Sequence, residues 1–275
     1  MNLTLNEART DPFTIFIAKQ VGRLIAVFNA TLILGAIMSG PAVFCGEIQD
    51  AARQGDLAKV EALLKSNPKL INDNPITNLP PLLMAIAHQH IEIAKFLLAN
   101  NADVNIRGAH GFYFGAPSAL HLAAHVGNYD EAKLLLEHHA NINATNDFGQ
   151  TPLHIAIHND ATNVVQLLLE NKAEVNLKDN EGKTPLHIAA EWWRDQAVEW
   201  LITRHADVNA KDKTGQTPLH AAVQHGQVNI AKLLLAAGAD ANATNDKGQT
   251  PFQLAESLKE KDELISILKK ASQQP

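Results

Sequence analysis

The chain repeats itself. Four openings, Ser118-Ala119-Leu120-His121, Thr151-Pro152-Leu153-His154, Thr184-Pro185-Leu186-His187 and Thr217-Pro218-Leu219-His220, stand at a constant spacing of 33 residues. A fixed period of this length points to a supersecondary unit that cannot bury its apolar face alone and must stack on copies of itself. Each opening reads as a helix start. Thr151 can cap the helix by accepting from the N–H three residues on. Pro152 takes the first helical position, where its missing N–H is no loss. Five positions into each unit a small residue (Ala123, Ala156, Ala189, Ala222) lets two helices approach closely. Leucine triplets at 134–136, 167–169 and 233–235 supply apolar faces shared with neighbouring units. Gly149, Gly182, Gly215 and Gly248 each follow an Asn or Asp by three positions, which is turn chemistry.

The T-P-L-H-x-A opening, the leucine triplet and the Ala-x-x-Asn that follows it, recurring in register, resemble the ankyrin repeat. The resemblance implies an all-α solenoid of stacked helix-turn-helix units joined by β-hairpin-like finger loops. It divides the chain into an N-terminal segment at 1–45 and a repeat domain at 46–275. Within the domain lie an N-terminal cap (46–79), repeats at 80–117, 118–150, 151–183, 184–216 and 217–249, and a C-terminal cap (250–275). The resemblance also implies a function: a non-catalytic scaffold that grips another protein with its fingers and concave groove, without a cofactor.

In a repeat protein the functional information lies where the pattern breaks. Ala102 to Ser118 spans 16 positions where Ala173 to Thr184 spans 11, so five extra residues lengthen one finger. That finger holds Phe112, Tyr113 and Phe114 between glycines, and Phe148 falls at the tip of the next one. Aromatic residues left on a loop surface are candidates for partner anchors. The second break is Trp192-Trp193. Trp192 holds a variable position that in the family faces the groove. Trp193 replaces the glycine seen as Gly127 and Gly226, and is expected to extend or reshape the turn after the inner helix. Trp200 takes the first leucine-triplet position and is expected in the core.

Thirteen histidines raise the question of a metal. His121, His154, His187 and His220 belong to the repeat motif, where hydrogen bonding within and between turns is expected. Helices packed about 8–10 Å apart do not bring equivalent imidazoles within the roughly 2 Å bonds of a shared zinc. His125, His158 and His225 fall near the groove and are candidates for partner contact. A small-ligand or metal-binding module built on them is the alternative reading. A translocated, membrane-associated effector is another.

Composition narrows the classes further. A formal net charge of −6 argues against a nucleic-acid partner, which needs a basic face. The single cysteine, Cys45, excludes an internal disulfide and a cysteine-built zinc cluster, and no nucleophile–base–orienter set stands out. Between Leu24 and Phe44 there is no charge; Lys19 and Arg23 precede this stretch, and Glu47 and Asp50 follow it. This length and charge bias suit a membrane-spanning anchor. The shorter apolar centre followed by Ser39-Gly40-Pro41-Ala42 suits a signal peptide. Either way the repeat domain is expected to be exported, as a periplasmic, secreted or membrane-tethered protein; a cytoplasmic location is the alternative.

Overall fold

The structure, a computed structural model, describes residues 46–75, 79–109, 115–258 and 262–273. Among them are fourteen α-helices in seven antiparallel pairs and no strand. The pairs are α1 (Glu47–Gln54) with α2 (Leu57–Ser66), α3 (Pro81–Ala87) with α4 (Ile91–Ala99), and α5 (Ala119–Val126) with α6 (Tyr129–Glu137). There follow α7 (Pro152–His158) with α8 (Thr162–Glu170), α9 (Pro185–Glu191) with α10 (Asp195–Thr203), α11 (Pro218–Gln224) with α12 (Val228–Ala236), and α13 (Pro251–Ser257) with α14 (Asp262–Ser272). The first helix of each pair packs on the first helix of the next, and the second helices form a parallel outer row.

The core runs along the stack as one continuous cluster. Leu120, Leu153, Leu186 and Leu219 are fully buried, as are Ala123, Ala156, Ala189 and Ala222 beneath them. Of each leucine triplet only the middle member (Leu135, Leu168, Leu234) is completely sealed in all three cases. Each such side chain contributes roughly 1.5–3 kcal/mol by leaving water. No single pair encloses its own apolar face, so the pairs depend on one another. Trp200 is half-buried and packs against this core rather than within it.

Three hydrogen-bond systems tie successive units together. The first is the motif histidine. In His121, His154, His187 and His220 the Nδ1 atom accepts the backbone N–H of the cap residue three positions earlier, at 3.1–3.2 Å. The same atom lies 2.8–3.0 Å from that residue's hydroxyl oxygen. Nε2 reaches the carbonyl oxygen of Gln150, Lys183, Gln216 or Gln249, the residue immediately before the next unit's opening, at 2.9–3.2 Å. A carbonyl only accepts, so Nε2 carries the proton and the ring is neutral. Burial holds all four pKa values below 6.5, that of His121 at about 4. In the last pair Gln253 replaces the histidine and still closes the box on the N–H of Thr250, at 3.0 Å.

The second system is an asparagine ladder. Asn72, Asn105, Asn143, Asn176 and Asn209 each accept, through Oδ1, a backbone N–H of the following unit at 2.7–3.0 Å. This is the physical reason for the Ala-x-x-Asn motif.

The third system joins the fingers. Asp147 N–H donates to Gly115 O (2.7 Å), Asn180 to Phe148 O (2.8 Å), Lys213 to Glu181 O (2.9 Å) and Asp246 to Thr214 O (3.0 Å). Within each finger an Asx side chain (Asn146, Asp179, Asp212, Asn245) accepts two backbone N–H groups of its own turn. The fingers are thus Asx turns in series. The nearest approach to a hairpin among the described residues is an isolated antiparallel bridge, Arg107 to Ser118.

One core position breaks the pattern. Glu131 of α6 stands where the other units place Ile93, Val164, Ala197 and Ile230, and is 0% exposed. Both its carboxyl oxygens lack a hydrogen-bond partner, and burial raises its pKa from 4.5 to about 8. It is therefore a neutral acid in the stack at pH 7.

Candidate functional site

The groove lies between the fingers and the inner helices, and the ends of α5, α7 and α9 bring three of the expected residues into one row. His125 and His158 hold the same position in neighbouring units. His158 meets Trp192 edge to face, with ring centroids 4.4 Å apart and planes at 68°. Such a pair is worth about 0.5–1.5 kcal/mol beyond its buried area. Trp192 is half-buried against the core, so one side of its ring is fixed and the other remains available. Desolvation lowers the pKa of His125 to about 4, with the His158 ring adding to the effect. His158 shifts in the same direction through desolvation and then Arg194, against the opposing pull of Glu191. This row is neutral and aromatic at pH 7.

His225 lies one unit further along, at the position that corresponds to Trp192. It lines a cleft of about 420 Å³ with Glu181, Lys183, Glu191, Asp212 and Lys213. Lys183 pairs with Glu191 at 2.8 Å and with Glu181 at 3.4 Å. Burial opposes the lysine charge, but the two carboxylates prevail and hold its pKa above 10.5. The aromatic row at His125, His158 and Trp192 thus adjoins an ionic cleft at His225, with Glu191 acting on both. Among the described residues no three His, Cys, Asp or Glu side chains gather to hold a metal.

Phe148 crowns its finger and is 51% exposed. Its N–H donates to Asn146 Oδ1 (3.0 Å), its carbonyl accepts from Asn180, and its ring edge lies over Gly115. The backbone is pinned on both sides while the ring faces solvent. Phe112, Tyr113 and Phe114 lie outside the described residues, as does the whole segment from Leu24 to Phe44 together with Cys45. Among the described residues no helix is long and apolar enough to cross a membrane.

Trp193 requires a correction. It neither extends nor reshapes the turn: its φ of 63° matches Gly127 (75°) and Gly226 (64°), as do Gln89 and Asp160 at the same position in their units. The turn geometry is imposed by the helix pair, and tryptophan accepts the left-handed conformation despite its β-carbon. The two neighbouring indoles consequently diverge. Trp192 meets His158, whereas Trp193, 46% exposed, lines a separate depression with Trp200 of α10.

Sequence reasoning missed the residue ten positions into three of the units. Arg194 donates to Ile157 O (3.1 Å) and His158 O (2.9 Å), closing the end of α7 from the next unit. His90 and Gln227 reach Arg53 O and Glu191 O in the same way. The signal was a polar residue at that offset, obscured because its identity changes from unit to unit and because Ala161 holds it in one.

Comparison with known proteins agrees with this architecture. The family model described as "Ankyrin repeats (3 copies)" matches residues 48–146, 120–212 and 194–274. Similar curated proteins include a probable E3 ubiquitin-protein ligase of Oryza sativa subsp. japonica, 33% identical over 97 residues, 35% of this chain and 18% of that protein. Inversin of Gallus gallus is 32% identical over 106 residues, 38% of this chain and 9% of that protein. Ankyrin repeat and SOCS box protein 11 of Danio rerio is 32% identical over 110 residues, 40% of this chain and 35% of that protein. The matches thus span between 9% and 35% of these relatives.

Proposed function

Because the chain belongs to the ankyrin repeat family, we propose that it is a non-catalytic scaffold whose fingers and groove dock another protein. Repeats of this kind serve as protein-binding units and are generally without catalysis. The ubiquitin-ligase name of one relative belongs to a protein of which this chain matches less than a fifth, so that activity is not carried over.

The observation that carries the proposal is Phe148. An aromatic ring held half in water on a backbone fixed by hydrogen bonds has little conformational entropy left to lose on binding. Trp192, braced by His158, supplies a second anchor in the groove, and aromatic anchors dominate interface energetics. Phe112, Tyr113 and Phe114 extend the finger surface in this proposal, His125 and His225 border it, and Trp193 stands outside it.

The test compares proteins retained from native extract by the full chain and by Phe148→Ala and Trp192→Ala variants with unchanged circular dichroism. A protein retained by the full chain and lost from both variants supports the surface. Retention unaffected by either substitution removes it. The export or tether proposed for residues 24–44 is tested by fractionation and N-terminal sequencing. Full-length chain recovered only from the soluble cytoplasmic fraction would overturn it.

A further inference from the structure

Trp193 and Trp200, which the groove does not use, meet across a depression of about 180 Å³ between the units that begin at Thr151 and Thr184. Its floor is apolar: Ile157, Val165 and Ala197 are all buried. Its rim carries Asp160, Arg194 and Asp195. Sites for small ligands usually enclose about 300–1,000 Å³, so this space suits a single side chain rather than a cofactor.

The rim sets the sign of that side chain. Arg194 is committed: besides its two bonds to the end of α7, it pairs with Asp160 at 3.0 Å. That pair is neutral, which leaves the exposed carboxylate of Asp195 to decide the local charge. Asp195 also opens α10, where an acid is favoured by the helix dipole. Its charge alone would therefore not mark a site; the two indoles beside it do. Trp193 is the more telling. It adopts a left-handed backbone that two sister units give to glycine, and its ring stays 46% exposed. A ring this exposed is not held there by core packing alone.

We propose that this depression is a second docking point, which takes one lysine side chain from an extended basic segment of a partner protein. The aliphatic stem lies against Trp193 and Trp200, as lysine stems do on apolar surface. The ammonium is held by the indole faces and by Asp195. The net charge of −6 favours approach of a basic segment. This proposal stands on Trp193, Trp200 and Asp195 and does not depend on the groove.

The experiment follows the indole N–H signals of the isotope-labelled full chain by NMR, assigned with Trp193→Gly and Trp200→Leu variants. The glycine variant carries the residue that sister units use, so folding is retained. The probes are a neutral-capped glycine pentapeptide with lysine at its centre and its norleucine twin. The lysine peptide is expected to move the Trp193 and Trp200 signals saturably, and about fivefold more tightly than norleucine. Asp195→Asn reduces the preference for lysine over norleucine, Trp193→Gly abolishes binding, and Phe148→Ala changes nothing. Equal affinity for both peptides, a shift confined to Trp192, no shift at all, or indifference to Asp195→Asn each overturns the proposal.

Discussion

His187 Nε2 lies 3.1 Å from the carbonyl oxygen of Gln216 while its Nδ1 accepts the N–H of Thr184, so one imidazole closes its own helix and fastens the finger that leads into the next unit. The two roles separate by substitution. His187→Gln keeps the closing role, as Gln253 does with Thr250, and loses the link; it is expected to cost about 1 kcal/mol. His187→Leu strands both the Thr184 N–H and the Gln216 carbonyl and is expected to cost about 2–4 kcal/mol. Urea denaturation of the two variants measures the difference, and equal losses would contradict the assignment.

The motif histidines also set an acid limit. His121 is neutral when folded, with a pKa near 4 against 6.5 in the open chain, because burial disfavours its charge. Between these values the unfolded state binds the extra proton, so stability rises with pH across this window and is flat above it. His121 alone accounts for about 3 kcal/mol lost on acidification through the window. Denaturation midpoints from pH 7 to pH 4 check this, and His121→Gln should flatten the slope.

Glu131 acts in the opposite direction. Its folded pKa near 8 exceeds the ordinary 4.5, so the folded state holds a proton that the unfolded state releases. Stability therefore falls as pH climbs from 4.5 to 8 and is level outside that interval. Glu131→Ile, the residue found at positions 93 and 230, is expected to stabilise the stack by on the order of 3 kcal/mol at pH 7. The gain should shrink toward pH 4.5. Thermal melts at both values test it, and a pH-independent gain would assign the effect to packing alone.

Gly182 is fixed by its neighbour. Its φ is +79°, and a β-carbon there would stand 2.9 Å from the backbone nitrogen of Lys213. Gly182→Ala is expected to cost about 1–2 kcal/mol and to loosen the bond from Lys213 to Glu181. Hydrogen exchange at the Lys213 amide should quicken while exchange in α5 and α6 stays unchanged.

The surface residue Phe148 makes the contrasting case. With half its area already in water, Phe148→Ala should alter stability by less than about 0.5 kcal/mol. A larger loss in urea denaturation would make the ring a structural prop rather than an anchor.

The periodic elements were legible because a physical repeat writes itself into the sequence. Thr151 and Pro152 start a helix wherever they occur together, and Ala156 marks a close approach. The hydrogen-bonding role of the histidines within and between turns follows from their place in the motif; their neutrality does not. What could not be read was direction. The sequence assigns Trp192 to the groove and Trp193 to the turn, but it does not show that the left-handed backbone at residue 193 sends the two rings to different neighbours. That conformation is dictated by the antiparallel helix pair, not by the local residues. His225 stands one residue further along its unit than His125 and His158, and the lysine and acids around it come from the neighbouring unit and its finger, which the sequence alone does not bring together. Glu131 passed unnoticed because a lone acid among charged neighbours on an amphipathic helix signals its burial only by comparison with Ile93 and Ile230.

The bonds that run from Gly115 through Phe148, Glu181 and Thr214 to the next finger have a mechanical meaning. A pull on the Phe148 ring is resisted by the Asn180 amide in the following loop, and that loop is tethered in turn at Lys213. Tension applied at one aromatic tip is thus shared along the ridge, and the loops yield together or not at all.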